Sequence, residues 1–320
     1  MTTEEHTSAG IVLSGLDASN PLAFLAALGT LRTLSLAWPD RNVRMAWRQD
    51  AGAWRPVVKA SVASVAGEII DTLHSHLATM KGHCALSLGD DLKVSNHFFR
   101  QHARKAVVGA HSGSAASRTT AAFAASFACD ALANNQGTVQ DTALRTMSGA
   151  GHQHFLKTMR LIVEQTTAQH LQETLFELWK YDDPLTNLTL RWDPGDDSRY
   201  ALQWRDPSGD PDRKVRGGML GANRLAIEAL PMLACAPIGT RLHTIGFAGR
   251  GSQDCFWTWP IWNCFICLDV CGSLLAKPSL IDPDAQDAAR LRAFGVVAAF
   301  RSQRITVGKF RNFTPATALF

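Results

Sequence analysis

The sequence predicts an α+β fold, with mixed helices and short antiparallel strands in one domain or two closely packed lobes. Apolar/polar alternations of strand period are short and each is bounded by Gly, Pro and Asp turn clusters. Stretches of helical period fall between them, and neither an internal repeat nor a low-complexity linker interrupts the chain. At 320 residues with 46% hydrophobic and 19% charged side chains, there is enough apolar surface for one large core or two medium ones.

Ile11-Val-Leu-Ser-Gly-Leu16 reads as a short strand, after which Asn20 can cap a helix with Pro21 at its first position. That helix runs from Leu22 to about Ala37 with Arg32 as its one charge, a pattern buried on nearly every face. Val43–Trp47 and Trp54–Lys59 alternate as strands around an Asp50-Ala-Gly52 turn, giving a hairpin. Helical period returns over Val62–Met80, over the Ala-rich stretch 120–133, and over His152–Trp179, the longest of the three. Beyond Tyr181-Asp-Asp-Pro184, strands are expected at Leu188–Trp192, Tyr200–Trp204 and Leu242–Phe247, with a helix from Met219 to Leu233 after the Gly217-Gly218 pair. A Trp-rich segment, helices around 264–276 and Pro283–Phe294, a strand Val296–Phe300 and Ile305-Thr-Val complete the chain. The expected division is a helix-rich lobe with a small hairpin over 1–183 and an α+β lobe over 184–320.

The net charge is only +4, so the balance as a whole announces no partner, but the charges are segregated. Residues 164–212 hold eleven acids against four bases. Residues 213–250 hold six bases (Arg213, Lys214, Arg216, Arg224, Arg241, Arg250) and one acid, and 290–311 hold six bases (Arg290, Arg292, Arg301, Arg304, Lys309, Arg311) and none. In Asn96-His-Phe-Phe-Arg100-Gln-His-Ala-Arg104-Lys105 bases interleave with aromatics, as suits a phosphate backbone with stacked bases; the bland reading makes Phe98 and Phe99 core and the cations a solvated face. Arg213-Lys-Val-Arg-Gly-Gly ahead of a helix could hold an anion, although it is neither a P-loop nor a Gly-x-Gly-x-x-Gly fingerprint, and a plain glycine turn fits as well.

No catalytic constellation emerges. Cys264, Cys267 and Cys271 at i, i+3, i+7, with Cys255 upstream, raise a metal site, but they read as one apolar helix whose thiols serve as small hydrophobes. His152 and His154 open a helix without a partner pair, and Asp90-Asp91, Asp182-Asp183 and Asp196-Asp197 fall in turns. No cofactor and no metal are therefore expected. Seven cysteines without framework spacing, an opening Met1-Thr-Thr-Glu-Glu-His with no basic or apolar leader, and no apolar run of about 18 residues lead to the expectation of a cytoplasmic protein away from membranes.

Several segments taken together resemble the large-subunit and associated Cas proteins of type I-G (subtype U) CRISPR-Cas loci. They are Leu13-Ser-Gly-Leu-Asp-Ala-Ser-Asn-Pro-Leu-Ala-Phe-Leu-Ala-Ala-Leu-Gly-Thr-Leu-Arg32, Leu188-Thr-Leu-Arg-Trp-Asp-Pro194, Gly221-Ala-Asn-Arg-Leu-Ala226, Trp257-Thr-Trp-Pro-Ile-Trp262 and Lys309-Phe-Arg-Asn-Phe-Thr-Pro315. The resemblance implies a component or accessory of an RNA-guided ribonucleoprotein complex for antiviral defence, with guide RNA, target DNA and other Cas subunits as partners. The expected function is non-catalytic nucleic-acid binding, RNA or DNA, with Arg100, Arg104, Lys105, Arg213, Lys214, Arg216, Arg224, Arg301, Arg304, Lys309 and Arg311 as the phosphate-gripping face. The alternatives are a metal-dependent nuclease of the same system, built on the paired Asp with His152 and His154, and an interaction scaffold whose acidic 164–212 region docks a basic partner.

Overall fold

The computed structural model describes residues 10–147, 154–184, 188–196, 217–249, 254–307 and 310–320, and within them shows the α+β architecture. Its organising element is helix α1 (Pro21–Ala37). The Asn20 side chain accepts hydrogen bonds from the Leu22 and Ala23 amides, Pro21 takes the first position, and every residue from Pro21 to Leu34 is buried. A helix without a polar face has to be covered all round, and it is. Helix α7 (Leu220–Ala229), itself buried along its length, crosses α1 so closely that a Cβ on Gly29 would run into the Leu225 carbonyl oxygen. Only glycine allows that approach.

On another side, α1 meets a wall of tryptophan. Phe24 stacks on Trp47 at 5.7 Å and packs against Trp257, Trp259 and Trp262, whose strand β11 (Cys255–Trp262) belongs to the larger sheet. Buried indole N–H groups need acceptors, and two find distant carbonyls: Trp259 donates to Ala18 and Trp262 to Met45. These bonds tie the larger sheet to the start of α1 and to the first hairpin.

That hairpin comprises β2 (Arg44–Asp50) and β3 (Ala53–Lys59), which turn at Ala51 and Gly52, both at positive φ; β1 (Ile11–Val12) pairs β3 to give a sheet of order β1-β3-β2. The larger sheet runs β10-β11-β12-β13, from β10 (Phe247–Ala248) through β11 and β12 (Val296–Val307) to β13 (Phe310–Phe313), with β14 (Thr317–Ala318) also on β12. All its ladders are antiparallel. Three small ribbons complete the strands among the described residues: β4 (Ala128–Ala133) with β5 (Val139–Asp141), β6 (Asp183–Pro184) with β7 (Gly217–Gly218), and β8 (Cys235–Ile238) with β9 (Arg241–Thr244). The remaining helices are α2 (Ala66–Ala78), α3 (Asn96–His111), α4 (Ala115–Phe127), α5 (Phe155–Gln165), α6 (Ala168–Phe176), α8 (Leu268–Leu275) and α9 (Ala285–Ala293). Buried apolar side chains from both sides of residue 184 form one cluster.

Several boundaries differ from expectation. The Ala-rich helix stops at Phe127, because Ala128 turns extended and 128–133 pairs with β5. The long helix over 152–179 is two: Thr166 leaves helical geometry, and Thr167 caps α6 by a capping box with His170. Residues 188–192 form no strand; Arg191 sits at positive φ and 194–196 is a short 3-10 turn. The two terminal strand signals are one strand of twelve residues, β12. The expected strand at 200–204 lies outside the described residues.

Candidate functional site

Between Asp91 and Asp130 the sequence carries Lys93, Arg100, Arg104, Lys105 and Arg118 without one acid. The structure folds most of this stretch into the α3–α4 pair. Ser95 caps α3 by accepting from the Phe98 amide, and the helix buries only Phe99 and Ala106. The two phenylalanines therefore divide: Phe99 is core, whereas Phe98 stands 46% exposed beside His97. Arg104 and Lys105 are exposed and lack an ion-pair partner among the described residues, while Arg100 pairs with Asp130 of β4 at 2.7 Å.

A second concentration of positive charge comes from the β12–β13 ladder. Arg304 faces Phe313 and Thr306 faces Arg311, so Arg304 and Arg311 are diagonal neighbours on one face of the sheet. Both line a cavity of about 370 Å³ whose other walls include Asn134, Gln140, Thr142, His243 and Thr244. Arg304 donates one Nη to the Ala143 carbonyl and leaves its Nε buried without a partner; Arg311 donates to the Arg145 carbonyl at 3.2 Å. Neither guanidinium is in a salt bridge among the described residues. Asp141 also lines the cavity, but its carboxylate is engaged by Arg145, which also holds Asp91 at 2.9 Å.

The electrostatics follow from that imbalance. Burial lowers the Arg304 pKa and the neighbouring Arg311 charge adds to the effect, with Cys255 and Asp141 acting the other way in part, yet an arginine stays charged in any protein environment. Two cations with incomplete neutralisation, beside amide, imidazole and hydroxyl donors, form a setting that an oxyanion would complete. The pKa of the Cys255 thiol on the wall is pushed up by burial.

The two basic areas share one structural element. The β4–β5 hairpin contributes Asn134 and Gln140 to the cavity, receives the Asn96 amide of α3 on its Gly137 carbonyl, and carries Asp130 for Arg100.

Other expected site residues are placed differently. Arg224 is 1% exposed inside the core, where it pairs with Glu228 at 2.9 Å and donates to the Leu77 carbonyl, so it is withdrawn from any phosphate-gripping face. Arg301 spends its guanidinium on the Ile281 carbonyl, Thr258 and Asp282. Arg213, Lys214, Arg216 and Lys309 lie outside the described residues, as do His152 and Asp197. Of the nuclease candidates, Asp90 pairs with Arg160 and Asp91 with Arg145, and His154 sits just before α5. The cysteine segment is not one helix: α8 begins at Leu268, so Cys264 is exposed, Cys267 precedes the helix and only Cys271 is buried within it. Among the described residues no three His, Cys, Asp or Glu side chains gather closely enough to hold a metal ion. No helix among them is long and apolar enough to cross a membrane.

Sequence reading missed Asn134, Gln140 and His243, ordinary polar residues that come together only where the β4–β5 and β8–β9 ribbons meet. No protein-family model matches the chain, and comparison with curated proteins and with solved structures returns no significant similarity.

Proposed function

We propose that this chain is a nucleic-acid-binding subunit of a type I-G CRISPR-Cas complex, gripping the phosphates of guide RNA or target DNA and leaving sequence reading to base pairing. The observation that supports it most is the pair Arg304 and Arg311, two guanidiniums without ion-pair partners among the described residues, on one polar cavity. Two half-buried guanidiniums side by side repel each other, and a phosphodiester is the ligand their donors suit. Exposed Arg104 and Lys105 with Phe98 on α3 extend the basic surface by cations for phosphates and an aromatic for an unstacked base. The segments resembling type I-G Cas proteins supply the biological setting, with other Cas subunits as partners and the cytoplasm as the compartment.

The test is direct binding. Fluorescence anisotropy of the purified chain with two labelled single-stranded RNAs and two labelled DNAs of unrelated sequence should give affinities that depend strongly on salt and little on sequence. Absence of binding at low salt, or binding that is indifferent to salt, contradicts the proposal.

A further inference from the structure

A larger cavity lies elsewhere, and the charges on its lining balance. It encloses about 760 Å³ between the segment leading into α1, strand β3 and the chain after α6, with Asp17, Asn20, Arg55, Trp179, Tyr181 and Asp193 among its walls. That volume is typical of a small-molecule site. The carboxylates of Asp17 and Asp193 are matched by the cations of Arg55 and Lys180, so the lining favours neither an anion nor a cation. An uncharged occupant fits it.

Two of these four charged groups are already engaged. Asp193 is buried and saturated: it accepts from Asn20 Nδ2 at 3.0 Å, Tyr181 Oη at 3.1 Å and the Gly195 amide at 2.6 Å. Lys180 is held by Glu177 at 3.1 Å. The other two keep capacity. Asp17 is half-buried and accepts only from Ser19, whose amide and hydroxyl both go to Oδ1, so its Oδ2 has no partner among the described residues. Arg55 donates one Nη to the Leu16 carbonyl at 2.9 Å, and its remaining N–H groups have no partner among the described residues. Asp17 and Arg55 line the same cavity without forming a salt bridge to each other.

The aromatic wall is fixed. Trp179 donates Nε1 to the Thr174 carbonyl at 3.0 Å and meets Tyr181 edge to face at 5.8 Å. Tyr181 sits at φ 57°, a left-handed conformation that few bulky residues adopt, and its phenol is anchored on Asp193. An indole already held in place offers a flat ring a stacking surface with little side-chain freedom left to lose.

A neutral ring that meets a carboxylate must present N–H donors to it, and one that meets a guanidinium must present acceptors. Adenine, cytosine, uracil and thymine each carry a single N–H donor group on the base. Guanine has two neighbouring donors, N1–H and N2–H2, on one edge and two neighbouring acceptors, O6 and N7, on another. An arginine fork on O6 and N7 is the commonest specific contact to that base. Because the two edges are distinct, the carboxylate and the guanidinium that read them stand apart, as Asp17 and Arg55 do.

We propose that this cavity binds a guanine base, with N1–H and N2–H2 on the Asp17 carboxylate, O6 and N7 on the Arg55 guanidinium and the ring plane against Trp179. The site is independent of the phosphate-binding cavity and does not rest on that reading.

Ligand-observed NMR titration at pH 7 with guanosine, adenosine, inosine and 7-deazaguanosine, all uncharged, tests it. Wild type should bind guanosine at least about tenfold more tightly than adenosine, as one bidentate pair allows. Inosine lacks the N2 amine and 7-deazaguanosine lacks N7, so each should bind more weakly than guanosine. Neither salt up to about 300 mM nor the Arg304→Gln, Arg311→Gln double variant should change the guanosine affinity, which separates this site from the phosphate-gripping cavity. Asp17→Asn keeps an oxygen for Ser19 and removes the charge, so it should abolish the preference over adenosine with an unchanged melting curve; the analogue series on wild type needs no variant and decides the matter if this one misfolds. Displacement of guanosine by guanosine 5′-monophosphate but not by a single-stranded pentanucleotide with one guanine assigns the base to a free nucleotide, and displacement by both assigns it to a strand. Equal binding of guanosine and adenosine, either analogue bound as tightly as guanosine, or a folded Asp17→Asn variant that keeps the preference would overturn the proposal.

Discussion

Two groups of arginines, one buried and one half-buried, are treated in opposite ways in this molecule. Between α1 and α7, Arg32 and Arg224 share the carboxylate of Glu228 at 2.7 and 2.9 Å, and Arg224 also reaches a carbonyl. Burial alone would raise the Glu228 pKa, but the two guanidiniums outweigh it and hold the carboxylate below its usual range. Beside β12 and β13, Arg304 and Arg311 bond to carbonyls and have no carboxylate of their own among the described residues. The first group is neutralised internally and belongs to the fold. The second forms no salt bridge among the described residues and is the one proposed to meet phosphate, and no count of Lys and Arg along the sequence separates the two.

The largest effect should come from breaking the neutralised group. Glu228→Gln keeps the shape and leaves two buried cations unpaired, a loss of about 3–5 kcal/mol for a broken buried pair. Chemical denaturation should report it as a lowered midpoint, while nucleic-acid affinity of the folded fraction stays as in wild type. A variant of unchanged stability would dissolve the distinction drawn between the groups.

A smaller effect is expected from pH. His76 and His83, near Glu228, and His102 on α3 all have pKa values lowered from 6.5, chiefly by burial. The unfolded chain therefore binds protons that the folded one refuses, and stability rises with pH through this range. Their contribution is neutral above pH 6.5 and becomes destabilising as pH falls below it, so melting temperature should drop between about pH 7 and 5. For His102 the cause is visible, since a proton on its buried Nε2 would have no acceptor. Replacing His102 by Gln should reduce that pH dependence.

The smallest effect belongs to the exposed part of the basic surface. Arg104→Gln with Lys105→Gln should weaken nucleic-acid binding without moving the melting curve, because both side chains are solvated and have no ion-pair partner among the described residues. Binding by anisotropy beside a thermal melt checks it.

How much of this was legible from the sequence varies with the range of the interaction involved. The α1 helix was, because Asn20 and Pro21 mark its start and its lack of a polar face states its burial. The β2–β3 hairpin was, because alternation and a Gly turn are local signals. The split of the 152–179 helix was not, since the capping box of Thr167 and His170 competes with an apolar stripe that continues past it. Arg224 misled because it follows the basic run Arg213–Arg216, whereas its partner Glu228 is a helical turn away and its burial depends on Gly29 of a distant helix. Arg304 and Arg311 were legible as bases; their lack of carboxylate partners, which is what distinguishes them, needed the β12–β13 register and the placement of Asp141 on Arg145.

The most direct test of the phosphate-gripping account is the salt dependence of nucleic-acid affinity for wild type and for the Arg304→Gln, Arg311→Gln double variant, measured with one single-stranded RNA from about 50 to 300 mM salt. If each guanidinium holds one phosphate of a single strand, removing both charges should flatten the log–log slope by about 1.4. The variant should remain folded, since neither side chain forms a salt bridge among the described residues. An unchanged slope in a folded variant would contradict the assignment of this cavity to phosphate.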